Sequence, residues 1–422
     1  MDLFKTLRNA WKVPELRSKL IYTLWMFLFI RIGVSITVPG VDRVALDAAN
    51  AASQSSGFVS DFLGMISGGA NEQLALFALG VGPYITASII MQLLQVAITK
   101  LEDLAKEGEV GRKKINKYTR YVTLGLATVQ AWMLALSKRN VFTDQSVGTF
   151  LLVVVSFIAG SMLVMWIGEQ ITSKGIGNGM SLYIFISIIY SLPGNFGSII
   201  FLNNDKIYIP ILVLVAFIAL IGFTVFMAQG ERRVPVQYAK RMAGRKVYGG
   251  QSQYIPLKVN LGGVMPIIFA MSIMNFPQII VNLVGAQVSE SWQTVLNWLN
   301  WTNPVGSVIY CVLIFAFAFF YSTIAFNPME IASNMKKSGG FIPGIRPGKP
   351  TSDYLVTLAT RITLLGAIFL VILAMMPLAF HYLFKVDVAF SGTSLLIVVG
   401  VVLETIKQME SQMLMRHYKG FL

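Results

Sequence analysis

Long apolar runs alternate with shorter polar, basic segments along almost the whole chain. A bilayer core of ~30 Å needs about 20 apolar helical residues to cross it, and runs near this length recur about ten times. The predicted spans are residues 20–38, 72–98, 118–137, 147–168, 179–193, 207–228, 263–284, 306–327, 354–377 and 392–408. The fifth is the weakest, because it is short and Pro193 and Gly194 are expected to break it. The pattern predicts an all-α, polytopic membrane protein with about ten transmembrane helices.

Composition supports this class of protein. Of 422 residues, 55% are hydrophobic and 13% are charged, with a mean hydropathy of +0.66, which is more apolar surface than a soluble domain can bury. The first run is too long for the apolar core of a signal peptide and no small-residue cleavage site follows it, so we expect it to remain as a span. Before it, Leu3, Phe4, Leu7 and Trp11 recur at helical spacing opposite cations, which predicts an interfacial helix.

Lysine and arginine are concentrated in the segment before the first run and in the loops at 99–117, 229–258 and 328–353. Cytoplasmic loops of membrane proteins carry an excess of these residues. We therefore expect these segments, and both termini, to be cytoplasmic. The net charge of +14 would then lie mostly on one face, where it could meet anionic lipid, an acidic partner or nucleic acid.

Residues that carry catalytic or metal chemistry are scarce. The chain has one cysteine, Cys311, and two histidines, His381 and His417, which we place on opposite sides of the membrane. No metal set or disulfide framework can be built from these residues, so we expect no cofactor. Arg31 is the clearest charge inside a span, and it should face protein or water rather than lipid. It could serve as a structural partner of backbone carbonyls or have a direct role.

Two cytoplasmic loops are long for a helical bundle. Residues 229–258 alternate apolar and polar positions through Arg233–Tyr238 and again near Gln253–Val259, which predicts a hairpin with a basic tip. Residues 328–353 are punctuated by Gly-Gly and Pro-Gly pairs, which predicts a turn-rich excursion rather than a helix. Positive-inside bias explains the sign of the charge but not the length of the loops. We therefore favour the docking of a large cytoplasmic partner.

Phe58–Ala70 is apolar enough to seek a membrane but too short and too rich in glycine to cross one. It fits a half-helix that enters from outside, and it fits an interfacial helix on the outer leaflet equally well. Glycine weakens a helix by roughly 0.5–1 kcal/mol per residue. That weakness suits a segment that has to move better than it suits a permanent anchor.

Seven motifs in order along the chain resemble those of the SecY family, whose members form the central subunit of the bacterial protein-conducting channel. They are "RIGVSITVPGVD", "FALGVGPYITASIIMQLL", "KINKYTRY", "GEQITSKGIGNGMSL", "GGVMPIIFAMSI", "GIRPGKPT" and "SGTSLLIVV". The resemblance implies two pseudo-symmetric inverted halves around a central pore. Residues 1–203 would hold spans one to five, the interfacial helix and a plug at 58–70, and residues 204–422 would hold spans six to ten, both long loops and the cytoplasmic tail.

The implied function is translocation of unfolded polypeptides across the bacterial plasma membrane, with lateral release of apolar segments into lipid. The waist of the pore would be an aliphatic ring formed by Val81, Ile85, Ile184, Ile188, Ile268 and Ile397. Two pairs in this ring have i, i+4 spacing and so share a helical face. Ordinary helix packing gives the same spacing, so only the resemblance singles these residues out.

The resemblance also implies a plug, a lateral gate and docking residues. The plug residues are Phe58, Phe62, Leu63, Gly64, Met65, Ile66 and Ser67. The lateral gate residues are Thr86, Gln92, Gln130, Asn275 and Phe276, each of which could equally be an interhelical hydrogen-bonding residue. The docking residues for SecA or the ribosome are Arg245, Lys246 and Arg346.

The implied partners are the small membrane subunits SecE and SecG, the SecA motor ATPase, the ribosome, signal peptides, unfolded polypeptide and the lipid bilayer. The chain shows no Walker motif, so energy would come from outside it and we expect no enzymatic activity. The main rival is a secondary transporter of a small solute with inverted repeats, which would need polar or charged ligands near mid-membrane. An intramembrane enzyme would need a nucleophile and a base at mid-depth.

Overall fold

The computed structural model describes residues 11–52, 64, 67–202, 208–238, 241–243, 246–248, 253–284, 298–299, 303–384 and 392–419. These residues are mostly helical. The helices are α1 (Pro14–Ser35), α2 (Arg43–Ala52), α3 (Gly82–Ala97), α4 (Thr99–Lys106), α5 (Glu109–Ser137), α6 (Val147–Lys174), α7 (Gly179–Leu202), α8 (Tyr208–Gln229), α9 (Met265–Val284), α10 (Pro304–Ala325), α11 (Pro328–Lys337), α12 (Lys349–Phe384) and α13 (Gly392–Lys419). The predicted interfacial residues Leu3, Phe4 and Leu7 lie outside the described residues.

Within the described part of the chain, five helical stretches are long and apolar enough to cross a membrane, or six if α3 and α4 count as one broken span. The five are Pro14–Ser35, Val147–Lys174, Pro210–Gln229, Pro304–Lys337 and Lys349–Met376. Gly179–Gly194 and Met265–Met274 are shorter apolar helical stretches. A multi-pass arrangement follows from these lengths, and the full count of ten spans stays a prediction.

The predicted second span is wrong in its first ten residues. Residues 72–81 form turns and a single bridge, and α3 begins only at Gly82. Gly80 has a φ of 52° and Leu74 a φ of 43°, both in the left-handed region that interrupts a helix. The backbone is paired elsewhere, since the Leu76 N–H donates to the Ile36 carbonyl at 2.8 Å. After Ala97 the chain bends by 101° into α4.

Two further expectations on helix limits are wrong. Helix α7 continues through Pro193 to Leu202, because an apolar segment keeps its backbone bonds internal even where proline removes one donor. The segment 328–337 is helix α11, which starts at a favourable proline, and the Asn327 side chain accepts the Glu330 N–H at 3.3 Å. The turn-rich part of this loop is confined to the residues after it, where Gly339, Gly344 and Gly348 have positive φ.

The hairpin predicted within residues 229–258 is confirmed. Strand β1 (Glu231–Tyr238) pairs antiparallel with β4 (Gln253–Lys258), and β2 (Arg241–Ala243) pairs with β3 (Lys246–Tyr248). A further strand, β5 (Gly340–Phe341), pairs with the other edge of β1. The sheet order β4–β1–β5 therefore joins the two long loops at 229–258 and 328–353. The all-α description fits the helical body, and these strands are the exception to it.

Helix contacts divide into two groups. In the first group, α3, α5, α6 and α7 pack in sequence order and α1 lies on α6 and α7. In the second group, α9, α10, α12, α13 and α8 pack one on the next. The groups meet where α7 contacts α13 and α8, and again where α5 contacts α9. We call these two contacts between the groups seams, and residues from both groups form one large apolar cluster.

Candidate pore and its surroundings

Four of the six predicted ring residues are buried in this one apolar cluster: Val81, Ile184, Ile188 and Ile397. A fifth, Ile85, is partly buried and packs against it. Val81 is the last residue of the turn segment, residues 67–81, and directly precedes α3. Val81 and Ile85 therefore lie one helical turn apart. Helices α7 and α13, one from each group, supply the other three. Five of the six predicted ring residues therefore belong to one apolar cluster or pack against it.

The sixth ring candidate, Ile268, is half-buried and is not among the described residues that pack against the cluster. Its neighbour Ile267 is fully buried within it. Successive residues of a helix point about 100° apart. A shift of one position therefore selects a different face of α9.

Most of the predicted plug lies outside the described residues, namely Phe58, Phe62, Leu63, Met65 and Ile66. Gly64 and Ser67 are described and both are buried. The Ser67 hydroxyl donates to the Gly64 carbonyl at 3.0 Å, and the Gly69 N–H donates to the same oxygen at 2.9 Å. These bonds close a turn of which residues 64 and 67–69 are described, and which we call the Gly64–Gly69 turn.

This turn lies against α7. Gly68 has a φ of 66°, and a Cβ at Gly68 would lie 3.3 Å from the Cα, Cβ and Oγ atoms of Ser187. On the other side of the turn, the Cα of Ser67 is 3.6 Å from the position that a Cβ on Gly80 would occupy. Glycine is therefore required at Gly68 both by the backbone conformation and by the closeness of the helix.

Arg31, the intramembrane cation, meets both the turn and the helix. Its Nη1 donates to the Gly68 carbonyl at 3.4 Å, and its guanidinium carbon lies 3.3 Å from the centroid of the Tyr190 ring. The expectation that this cation would face protein or water is confirmed, and of the two roles left open for it the structure shows the contact with a backbone carbonyl. A cation stacked on an aromatic face is stabilised by the ring quadrupole.

The lateral gate candidates lie on α3, α5 and α9. The Thr86 hydroxyl donates to the Gly82 carbonyl at 3.1 Å, and the Gln92 amide to the Ser88 hydroxyl at 3.4 Å, so both bonds stay within α3. Gln130 on α5 faces α3, since its Oε1 lies 4.0 Å from the position of a Cβ on Gly82. The side chains of Asn275 and Phe276 lie outside the described residues, although the backbone of α9 that carries them contacts α5.

The cytoplasmic docking candidates are described in part. Arg245 lies outside the described residues, and Lys246 is the first residue of β3. Arg346 is exposed, and its backbone carbonyl accepts the Thr351 hydroxyl at 2.8 Å. Because the turn is held through this carbonyl and through the glycines around it, the Arg346 side chain remains available for a partner. Strand β5 brings this loop beside the hairpin.

The hairpin is anchored at its base. Val234, Val236 and Leu257 are buried in a cluster with Leu355 of α12 and Met335 of α11. On the exposed face, Arg233 Nε donates to Glu231 Oε1 at 2.8 Å, and this bond raises the pKa of Arg233. The hairpin therefore projects from a packed foundation and not from a loose linker.

One ion pair was not expected from the sequence. Arg120 on α5 and Glu169 on α6 form two hydrogen bonds, both 2.8 Å long, from Nε and Nη2 to the two carboxylate oxygens. The sequence contains the signal, because the motifs "KYTRY" and "GEQIT" place opposite charges where one predicted span begins and the next one ends. Adjacent antiparallel spans bring such ends together.

Comparison with known proteins agrees with this arrangement. A family model described as SecY matches residues 75–406. The protein translocase subunit SecY of Streptomyces scabiei is 45% identical over 431 residues, which cover 98% of this chain and 98% of the relative. A solved structure of a protein-conducting channel covers 94% of this chain and 92% of its own, with a TM-score of 0.64 and 17% identity.

The fold is also shared with Sec61 in the canine ribosome-channel complex from the endoplasmic reticulum, with a TM-score of 0.62, 16% identity and coverage of 94% and 92%. The structural likenesses show the fold. The family model and the end-to-end similarity to the Streptomyces protein show more, and this chain belongs to the SecY family.

Proposed function

We propose that this chain is the protein-conducting channel of the general secretory pathway, which moves unfolded polypeptides across the bacterial plasma membrane. The observation that carries the proposal is the meeting of Val81, Ile184, Ile188 and Ile397 in one cluster supplied by both groups of helices. These two groups fit inverted halves at residues 1–203 and 204–422. The SecY family membership and the shared channel fold support the same function.

An aliphatic constriction suits this task physically. Branched aliphatic side chains offer an extended polypeptide no specific partner, and a narrow apolar neck excludes water and ions by dewetting. In the described part of the chain, every buried polar residue other than tyrosine is a serine or threonine. A solute transporter would instead place charged or strongly polar ligands there for its substrate and coupling ion. The absence of buried charge in this part of the chain favours the channel.

Lateral release follows from partition between pore and lipid. We propose that α3 and α5 separate from α9 and α10, with Thr86, Gln92, Gln130, Asn275 and Phe276 at the opening. A central Leu or Ile of a passing segment favours lipid by ~0.3–0.6 kcal/mol, whereas a central Lys or Asp costs ~2.5–3.5 kcal/mol. The sum over a segment then decides whether it leaves sideways or crosses.

The cytoplasmic sheet and the Arg346 loop would dock SecA or a translating ribosome, with Arg245 and Lys246 at the hairpin tip. Exposed cations without aromatic stacking groups suit phosphate contacts. SecE and SecG would hold the two halves together, both termini would be cytoplasmic, and energy would come from the partners and the membrane potential. The ribosome-bound Sec61 complex shares this fold.

A cross-link tests the gate and the function together. In a background where Cys311 is replaced by Ala, we expect a disulfide between Thr86→Cys and Phe276→Cys to block export of a secretory precursor into vesicles, and reduction to restore it. The matched control is a disulfide between Ser322→Cys and Thr363→Cys, whose native hydroxyls lie 2.7 Å apart on α10 and α12 of one group. That link should leave export intact. Full export through the Thr86–Phe276 link would refute the lateral gate.

A further inference from the structure

The Gly64–Gly69 turn rests on a polar strip of α7. Tyr183, Ser187 and Tyr190 follow one another at i, i+4 and i+7, so they share one face of the helix. The Ser187 side chain touches Gly68, and the Tyr183 hydroxyl lies 3.3 Å from the Cβ position of Gly80. Tyr183 is buried, and its hydroxyl has no hydrogen-bond partner among the described residues. This strip is distinct from the face of Ile184 and Ile188.

Arg31 closes the arrangement from α1. It reaches the turn through the Gly68 carbonyl and reaches α7 through the Tyr190 ring. Tyr190 is 51% exposed, so the ring holds the cation at the edge of the helix group. An arginine inside a span is costly unless it is paired. Its two contacts are with the turn and with the surface on which the turn rests.

We propose that Arg31, stacked on Tyr190, is a positioning residue that holds the Gly64–Gly69 turn on α7 and so keeps the idle channel sealed to ions. This inference rests on the proposed channel function. Arginine suits the role because its planar guanidinium stacks on a ring and donates in its plane at the same time. Lysine offers a point charge that does not reproduce both contacts.

The turn is held by contacts that can be lost one at a time. The cation donates one hydrogen bond to Gly68 and makes one ring contact with Tyr190, and Ser187 lies close enough to Gly68 that a Cβ there would be 3.3 Å from its Oγ. Loss of Arg31 therefore leaves the turn folded through its Ser67 and Gly69 bonds but weakly held on the helix. The expected consequence is release of the turn with the helices intact.

The first measurement is ion leakage. The full chain, with the small subunits that co-purify, is reconstituted in vesicles of phosphatidylethanolamine and phosphatidylglycerol, and chloride entry is followed with an entrapped halide-sensitive dye. Arg31→Gln and Tyr190→Leu should each raise idle chloride flux about three- to tenfold, the amount by which one such contact biases an equilibrium. Tyr190→Phe, which keeps the ring, should match the unmodified protein. The double variant Arg31→Gln/Tyr190→Leu should leak no more than Arg31→Gln alone.

The second measurement locates the change. With Cys311 replaced by Ala, a cysteine at Ser67, which is 3% exposed, should react slowly with a membrane-impermeant maleimide added outside, and Arg31→Gln should accelerate it. A cysteine at Ser161 on α6, which is 2% exposed, is the control and should not respond. Equal acceleration at both sites would mean that the helix group had loosened as a whole. That result would overturn the proposed positioning role of Arg31, which we call the latch.

Export by the same vesicles separates the two proposals. If the unmodified chain does not export a secretory precursor, the channel function fails. If it exports and Arg31→Gln changes neither chloride flux nor Ser67 labelling, the latch fails and the channel function stands. Additive leakage in the double variant would also refute the latch, because contacts that act as one unit are not additive.

Discussion

At the scale of single residues, several glycines mark places where one backbone lies directly on another. A Cβ at Gly160 on α6 would overlap the carbonyl oxygen of Leu76, and a Cβ at Gly33 on α1 would overlap the ring of Phe77. Both partners belong to the turn segment before α3. Small residues let helices and chain approach closely in a membrane, where close packing replaces the hydrophobic effect as the main attraction. The turn segment is therefore shaped by the glycines that surround it.

We expect Gly160→Ala to destabilise the protein by about 1–3 kcal/mol, because the added methyl group meets a backbone oxygen that cannot move without unfolding its turn. The thiol of Cys311, which is half-buried on α10, can report unfolding through a fluorogenic maleimide during heating.

The matched control is Gly125→Ala on α5, where a Cβ would meet nothing within 4 Å. That change should leave the unfolding temperature equal or slightly higher, because alanine is favoured over glycine in a helix by roughly 0.5–1 kcal/mol. If both variants unfold at the same temperature, the close approach of Leu76 to Gly160 does not limit the stability of the protein.

Residue chemistry could be predicted further than residue partners. That Arg31 would face protein or water followed from the cost of a bare charge in lipid, and a backbone carbonyl was one of the partners it could have. That the carbonyl would be Gly68, and that Tyr190 would lie beneath the cation, depends on how a non-helical segment folds back, and a local pattern does not encode this. The ring candidate Ile268 illustrates the same limit, because its buried neighbour Ile267 is equally aliphatic and only the rotation of α9 separates them.

At the scale of elements, hydropathy located the helices but misplaced several of their ends. The run at 72–98 is mostly apolar, yet its first ten residues form turns. Hydropathy reports burial, and a buried turn segment is as apolar as a buried helix. The hairpin was predictable because strand alternation and a basic tip are local signals. Strand β5 was not, since its partner β1 lies about a hundred residues earlier in the chain.

The Arg120–Glu169 pair joins α5 to α6, and we expect it to stabilise the contact between these two helices. Arg120→Glu and Glu169→Arg should each lower the unfolding temperature, because each places like charges side by side. The double exchange should recover part of the loss. An exposed pair contributes about 0.2–1 kcal/mol, and two parallel hydrogen bonds favour the upper end of that range.

Thermal unfolding of the two single variants and the double variant gives the coupling energy directly. If the double variant loses as much free energy of unfolding as the two single variants together, the two charges do not stabilise the contact between the helices. The exchange of Lys106 and Glu102 within α4, an exposed pair at 2.7 Å, is a suitable control, because it joins no second helix.

At the scale of the whole molecule, the two groups of helices are joined at two seams that differ in character. The contact of α7 with α13 is broad, whereas α7 meets α8, and α5 meets α9, over a small part of each helix. On the proposed function, the first seam would stay closed while the second opens. The sheet β4–β1–β5 lies on the second group, because its base packs on α12 of that group and on the neighbouring α11. A partner that pulls on the hairpin would therefore act on one group relative to the other.

Charge reversal at Arg346 tests whether this residue takes part in the proposed docking that export requires. We expect Arg346→Glu to reduce SecA-dependent export by about tenfold or more, since reversed charge at a docking contact is repulsive. Folding should be preserved, because the turn is held by the Thr351 bond to the Arg346 carbonyl and not by the side chain.

Lys349→Glu is the matched control for this prediction, as it reverses an exposed charge three residues away at the start of α12. We expect it to have little effect on export. Unchanged export by Arg346→Glu, with normal amounts of protein in the membrane, would remove Arg346 from the docking surface.

The turn segment between Ser67 and Val81 also has a consequence for how the protein is made. Irregular backbone is tolerated at membrane depth only when protein surrounds it, and here the surrounding walls are α1, α6 and α7. Two of those helices are synthesised after the segment they enclose. The segment therefore has to wait, shielded by the insertion machinery or held outside, until α7 has entered the bilayer. Biogenesis of this chain would then include a late step in which an early segment is taken into a finished helical frame.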